Sequence, residues 1–262
     1  MRALAIGATG MAAQELNVEV ISNNIANLST NGFKASRADF QDLLYQNMRS
    51  VGSASSDTGT ILPSGLEVGL GVKPAATYRI NGQGNLVVTN NPLDLAINGG
   101  GYFQVQLPDG TLAYTRDGGF QLNATGQLVT ADGFLVLPNI TVPSAATAVT
   151  VNASGQVLAS IAGQVNQQTL GQLQLASFIN PAGLNAIGDN LLQETQASGT
   201  PITGNPETNQ FGAIVQGSLE TSNVDIVSQI TDLIAAQRAY EMNSRVINTA
   251  DQMLQTANQM KT

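Results

Sequence analysis

Carboxylates are the only side chains in this 262-residue chain that could do acid–base chemistry in quantity. The chain has no His and no Cys. Ser-His and Cys-His catalysis is therefore excluded, the usual zinc and copper ligands are missing, and no disulfide can form. Between residues 71 and 220 lie eight carboxylates: Asp94, Asp109, Asp117, Asp132, Asp189, Glu194, Glu207 and Glu220. A glycosidase needs two such groups facing each other across a cleft. Asp109, Asp117 and Asp132 each directly precede Gly, a pattern in which Asp bonds its own backbone in a turn. The turn or surface reading therefore outweighs the catalytic one for this set. Gly69-Leu70-Gly71 and Gly82-Gln83-Gly84 do not continue into a longer glycine pattern or lead into a helix, so they are not phosphate loops. Asn-x-Ser/Thr triplets at Asn27, Asn123, Asn139 and Asn152 are expected by chance in an Asn-rich chain, and no EF-hand spacing occurs. No catalytic, cofactor or metal residue is assigned, and no cofactor is expected.

The elements that would have to position any chemistry are of another kind. Leu4, Met11, Val18 and Ile25 fall seven residues apart, with Ile21 and Leu28 completing an apolar stripe. Near the other end Ile226, Leu233, Tyr240, Ile247 and Leu254 repeat the spacing, flanked by a second row of Val246, Met253 and Met260. A seven-residue repeat keeps one face of a helix apolar and favours supercoiling with a partner. One partner helix needs one row, so two rows on the C-terminal helix point to packing against further copies as well. These fourteen residues are the expected assembly interface.

Composition agrees with assembly. Charged residues are 11% of the chain, net charge is −8, and no basic cluster exists, which argues against nucleic acid and anionic lipid as partners. A sparsely charged polar surface leaves few ions to desolvate when copies pack together. No apolar run reaches membrane-spanning length, so no membrane insertion is expected. The apolar start is interrupted by Gly7, Thr9 and Gly10, which does not fit a cleaved secretory signal.

Along the chain, residues 3–28 read as a helix stopped near Asn31-Gly32, where Gly adopts left-handed backbone. Residues 33–48 read as an extended stretch plus a short helix, and the polar run 49–60 as a loop or arm. From about 73 to 216, strand and turn signals alternate, with Asp109-Gly110, Asp117-Gly118 and Asp132-Gly133 as hairpin dipeptides. The run from Asn123 to Val129 echoes that from Asn152 to Leu158, which predicts two hairpins with the same turn chemistry. Ser222 to Asp225 reads as a capping box opening a helix that continues to the end of the chain.

Three segments carry a family resemblance. The run from Ser22 through Asn24, Asn27, Thr30, Gly32, Phe33 and Lys34 closely resembles the N-terminal signature of bacterial flagellar rod and hook proteins. Glu220 to Asp225, with Thr221 and Asn223, and Gln237 to Asn243, with Arg238 and Tyr240, resemble that family's C-terminal signature. Tyr114 to Gly118, Gly126 to Thr130 and Asn98 to Phe103 resemble its central β motif. Length and the segment Leu62 to Val72 are most similar to the distal-rod members, with a similar-sized proximal-rod subunit as the alternative.

The resemblance implies an α+β fold, with long terminal helices (1–32 and 222–262) paired as a coiled coil, a connecting segment at 33–72 with an arm at about 46–65, and an antiparallel β domain at 73–221. It implies a helical filament of copies, contacting other rod subunits, hook or hook-junction subunits and outer-ring bushing proteins. Such a shaft sits in the basal body across the periplasm, and its subunits leave the cell through the flagellum's own type III channel without a cleaved signal. A rod-associated enzyme that cleaves peptidoglycan is the competing reading of a different class, and it would need an acidic pair in a cleft.

Overall fold

The computed structural model describes residues 2–49, 64–164, 166–208 and 210–260. Residues 50–63, which carry most of the expected arm, lie outside the described residues. The chain divides into two compact units, one of Met1–Ile25, Ser36–Tyr78 and Asp225–Thr262, the other of Ala26–Ala35 and Arg79–Val224. Most of the segment expected to connect thus sits with the helices, and only its first residues sit with the β structure.

The first unit is built on two helices, α1 (Arg2–Ala26) and α2 (Ile226–Gln259). Gly7 is buried, and a Cβ there would lie 2.8 Å from Cγ1 of Ile247. A Cβ on Gly10 would lie 2.9 Å from Nδ2 of Asn243. The two helices therefore meet where α1 carries no side chain. The glycines cost helix propensity, but they allow close approach. The side of α2 toward α1 carries Ala236, Asn243, Ile247 and Ala250, all buried or half-buried. Antiparallel ribbons join the same unit: Ser36–Asp42 pairs with Val72–Arg79, and Tyr45–Arg49 pairs with Leu66–Gly69 in the register Tyr45↔Gly69. The short helix expected within 33–48 is absent from this region, because strand pairing across the chain satisfies its backbone instead.

Both helix boundaries differ from expectation. α1 stops at Ala26, and Thr30 N–H closes a turn onto the Asn27 carbonyl at 3.2 Å, so Leu28 lies beyond the helical stripe. The stop at Gly32 is a separate left-handed residue, φ +68°. α2 is capped by Asp225, whose Oδ1 accepts from Val227 N–H at 3.0 Å, whereas Ser222 turns its hydroxyl to Val224 N–H at 3.3 Å. Asp225 takes the cap because its carboxylate bonds an orphan N–H and complements the positive helix end.

The second unit is antiparallel β structure around a main apolar core and a smaller cluster. Strand Tyr102–Gln106 is its centre, pairing with Leu112–Thr115 on one edge and with Leu135–Val136 and Leu175–Ser177 on the other. Its alternation feeds two clusters. Phe103 and Val105 join Leu95, Phe120 and Leu175 in the main core, and Tyr102 joins Tyr114 and Phe178 in a smaller one. Hairpin turns at Gly110 and Gly133 have φ +84° and +87°, as the Asp-Gly pairs predict. Gly118 departs from that expectation. It has no left-handed backbone, and glycine is required because a Cβ would sit 1.6 Å from the Leu95 carbonyl oxygen. The echoed segments form matching turns, with Asn123 Oδ1 accepting from Gln127 N–H at 2.9 Å and Asn152 Oδ1 from Gln156 N–H at 2.8 Å.

Candidate functional site

The signature segments converge on a buried ion triad in the second unit. Glu220 is 2% exposed, and its carboxylate accepts from Lys34 Nζ at 2.5 Å and Arg116 Nε at 2.7 Å. Oε1 also accepts from Gly84 N–H at 2.9 Å. Two cations against one anion leave a net positive charge, and backbone carbonyls absorb it. Lys34 donates to Gly82 O at 2.8 Å, and Arg116 donates to Gly99 O at 2.6 Å and to Gly101 O. Burial nevertheless pulls the Lys34 ammonium below its ordinary pKa, against the opposing pull of Glu220.

Glycines make this possible. A Cβ on Gly84 would meet Thr221 O at 1.9 Å, and one on Gly32 would meet Arg116 C at 2.7 Å. Gly32 N–H also bonds the Glu220 carbonyl at 2.7 Å. The Gly82-Gln83-Gly84 segment that fails as a phosphate loop, together with Gly99-Gly100-Gly101, thus cradles an internal carboxylate and its cations. Asn223 completes the wrapping: its Oδ1 accepts from Ala35 N–H at 2.7 Å, and its Nδ2 donates to Ile80 O at 2.8 Å and Gly82 O at 2.9 Å. Thr221 closes onto Asn85 O through both its N–H and its hydroxyl.

In the first unit Asn24, 2% exposed, makes a second junction. Its side chain exchanges two hydrogen bonds of 2.8 Å with the Ser36 backbone and donates to Gln229 Oε1 at 2.9 Å. A buried Asn between two helices fixes their register, because any slip leaves its amide unpaired. The motif residues therefore separate. Gly32, Lys34, Thr221 and Asn223 gather with Phe33 around the triad, Asn27 and Thr30 bond each other in the turn after α1 at 3.2 Å, and Arg238 and Tyr240 lie exposed on α2.

The expected apolar rows also separate. Leu4, Met11, Val18 and Ile25 are half-buried, Ile21 is buried, and Leu233 and Ile247 are half-buried, while Ile226, Tyr240 and Leu254 are exposed. Val246 and Met253 are exposed on α2, and Met260 is exposed at its C-cap. Sequence reasoning missed the triad, since Glu220 had been grouped with turn and surface carboxylates. The available signal was that Lys34, Arg116 and Glu220 are charged residues inside three separate motifs of a chain with 11% charge. No group of three potential metal ligands occurs among the described residues, and no described helix is long and apolar enough to cross a membrane.

Each unit is thus closed by its own signature junction, the ion triad in the second and Asn24 in the first. Family descriptions match in chain order: flagella basal body rod protein at residues 4–34, flagellar hook protein FlgE/F/G D1 domain at 96–159, and flagellar basal body rod FlgEFG protein C-terminal at 215–260. Each matched segment supplies one member of the triad. The chain belongs to the flagellar basal-body rod protein family, and it is a structural subunit of that rod. It is 57% identical over 261 residues to the flagellar basal-body rod protein FlgG of Caulobacter vibrioides, covering 100% of each chain. It is 53% identical to FlgG of Agrobacterium fabrum, covering 97% of each. The flagellar hook-basal body complex protein FlhP of Bacillus subtilis is a more distant relative, 31% identical with 100% of each chain covered.

Proposed function

We propose that the chain is the distal-rod subunit and that copies stack into an open helical tube transmitting torque from motor to hook. The observation that carries this reading is the row Val246, Met253 and Met260, apolar and exposed along a helix of 34 residues and at its C-cap. An exposed row of this length is a surface to be covered, and α1 occupies a different face. Heterologous contacts that do not close into a ring build a filament. Terminal helices pairing as a coiled coil form the inner wall, and the β-rich unit, with its core closed on itself, forms the outside. Partners are further copies, other rod subunits, hook or hook-junction subunits and the outer-ring bushing. The tube crosses the periplasm, and its subunits reach it through the flagellar type III channel.

No catalytic role is assigned. The buried carboxylates are already engaged, Asp94 by Thr89 at 2.6 Å and Asn91 at 2.8 Å, and Glu220 by two cations. Neither is available as a general acid in a cleft.

Val246→Asp tests the reading. The residue is 49% exposed, so the monomer should fold normally, yet a charge in each repeated contact should abolish sedimentable polymer. Glu241→Gln should assemble normally. Equal polymer from both variants would reject this face as the assembly surface.

A further inference from the structure

The exposed stripe of α2 is unusually rich in one residue type. At about 100° per residue, Met242, Val246, Met253 and Met260 fall within about 40° of one another, roughly 100° around the helix from Asn243, Ile247 and Ala250, which face α1. The three methionines are 66%, 62% and 81% exposed. Of the other described methionines, Met11 is half-buried on α1, and Met48, 55% exposed on a β ribbon away from this stripe, accepts from Arg2 Nη1 at 3.3 Å through its sulfur. With no Cys in the chain, thioethers are its only sulfur groups open to oxidation.

We propose that Met242, Met253 and Met260 make the assembly face oxidation-sensitive, so that conversion of their thioethers to sulfoxides by a peroxide bars the subunit from the tube. The proposal rests on the assembly reading above. In the step itself a sulfur lone pair attacks one peroxide oxygen and the O–O bond breaks. An S–O bond forms, sulfur is oxidised by two electrons, and hydrogen peroxide is reduced to water. The product is polar and accepts strong hydrogen bonds, so it keeps its hydration in the monomer and loses it when a neighbouring copy covers it. A thioether adapts to an irregular apolar partner, which suits a face that packs at every lattice position, but only in its reduced form. The modification acts before incorporation, when the row is open, and it leaves the contacts of Ile247 and Asn243 with α1 untouched.

The experiment treats purified full-length protein with hydrogen peroxide, maps sulfoxides by peptide mass, and measures the concentration at which sedimentable polymer appears. Oxidation at the three positions should raise that concentration roughly tenfold or more, the effect of about 1.4 kcal/mol per subunit added, with helical circular dichroism unchanged. Reduction by methionine sulfoxide reductase should restore assembly. The triple variant Met242→Leu, Met253→Leu, Met260→Leu keeps volume and apolarity and should assemble equally before and after peroxide. Oxidised wild type assembling at the untreated concentration overturns the proposal while leaving the assembly reading intact. Equal inhibition of the triple variant also overturns it, by moving the sensitivity to another residue. If untreated protein assembles despite Val246→Asp, both the proposal and the reading beneath it fail.

Discussion

Lys34 and Glu220 stand 186 residues apart in sequence and meet at 2.5 Å, in a place where the Glu220 side chain has no solvent exposure. A buried pair of this kind gains little over well-packed apolar residues, because desolvation offsets most of the attraction. Its value lies in what happens when one member is missing.

Glu220→Gln leaves Lys34 and Arg116 buried without a counter-charge. We expect a loss of about 3–5 kcal/mol in the stability of the β-rich unit. Urea unfolding followed by the aromatic signal of Tyr114 and Phe178 measures it. Replacing all three residues by Met should cost far less than the single substitution. A single variant as stable as wild type would show that the triad is not closed in solution.

Tyr114 offers a pH test. Its hydroxyl is buried with no hydrogen-bond partner among the described residues, and burial first, then the Glu194 carboxylate, pushes its pKa from 10.0 to about 12. Between those values the unfolded chain releases the phenol proton and the folded chain keeps it. The folded state then binds more protons, and stability falls as pH rises, by up to about 1.4 kcal/mol per pH unit. Tyr114→Phe should remove this part of the alkaline slope. At neutral pH it should be neutral or stabilising by about 1 kcal/mol, since an unpaired polar group leaves the core. A Phe variant whose alkaline slope matches wild type contradicts this account.

Gly7→Ala should behave opposite to helix propensity. Alanine favours a helix by about 1 kcal/mol, but here its methyl group would meet Ile247 Cγ1 at 2.8 Å. We expect destabilisation of about 1–3 kcal/mol from overpacking. Adding Ile247→Val should recover part of it, as a coupling energy in a double-mutant cycle. Additive effects would mean that the two helices are not apposed at this point.

Asn24→Ala removes an acceptor from Ser36 N–H and a donor to Gln229. We expect a loss of about 1–3 kcal/mol from the unsatisfied buried groups, with reduced uniformity of polymer in electron micrographs as register becomes free to slip. Unchanged thermal unfolding would argue that water replaces the side chain.

Local chemistry was the legible part of this chain. Period seven located both helices, Asp-Gly located the turns at Gly110 and Gly133, and a repeated Asn located two matching hairpins, because each pattern acts over a few residues. Gly7 and Gly10 read only as interruptions of an apolar start, since nothing local announces that α2 will lie against them. Gly118 read as a turn for the same reason: the Leu95 carbonyl that excludes its Cβ comes from a distant strand. The triad was hidden because Lys34, Arg116 and Glu220 carry no spacing relation to one another, and only the closed fold pairs them. Residues 33–48 misled because their apolar side chains fit a short helix as well as a strand, and pairing with Val72–Arg79 and Leu66–Gly69 decided between them.

The glycine contact between α1 and α2 has a mechanical meaning. Where two helices touch through interdigitated long side chains, a sliding load can be taken up by rotamer changes, which are soft. At Gly7 and Gly10 that layer is absent on one side, and α1 presents its main chain directly to Ile247 and Asn243. Displacing α1 along α2 then has to strain backbone hydrogen bonds rather than turn a methylene, so the pair resists shear at this level with little compliance.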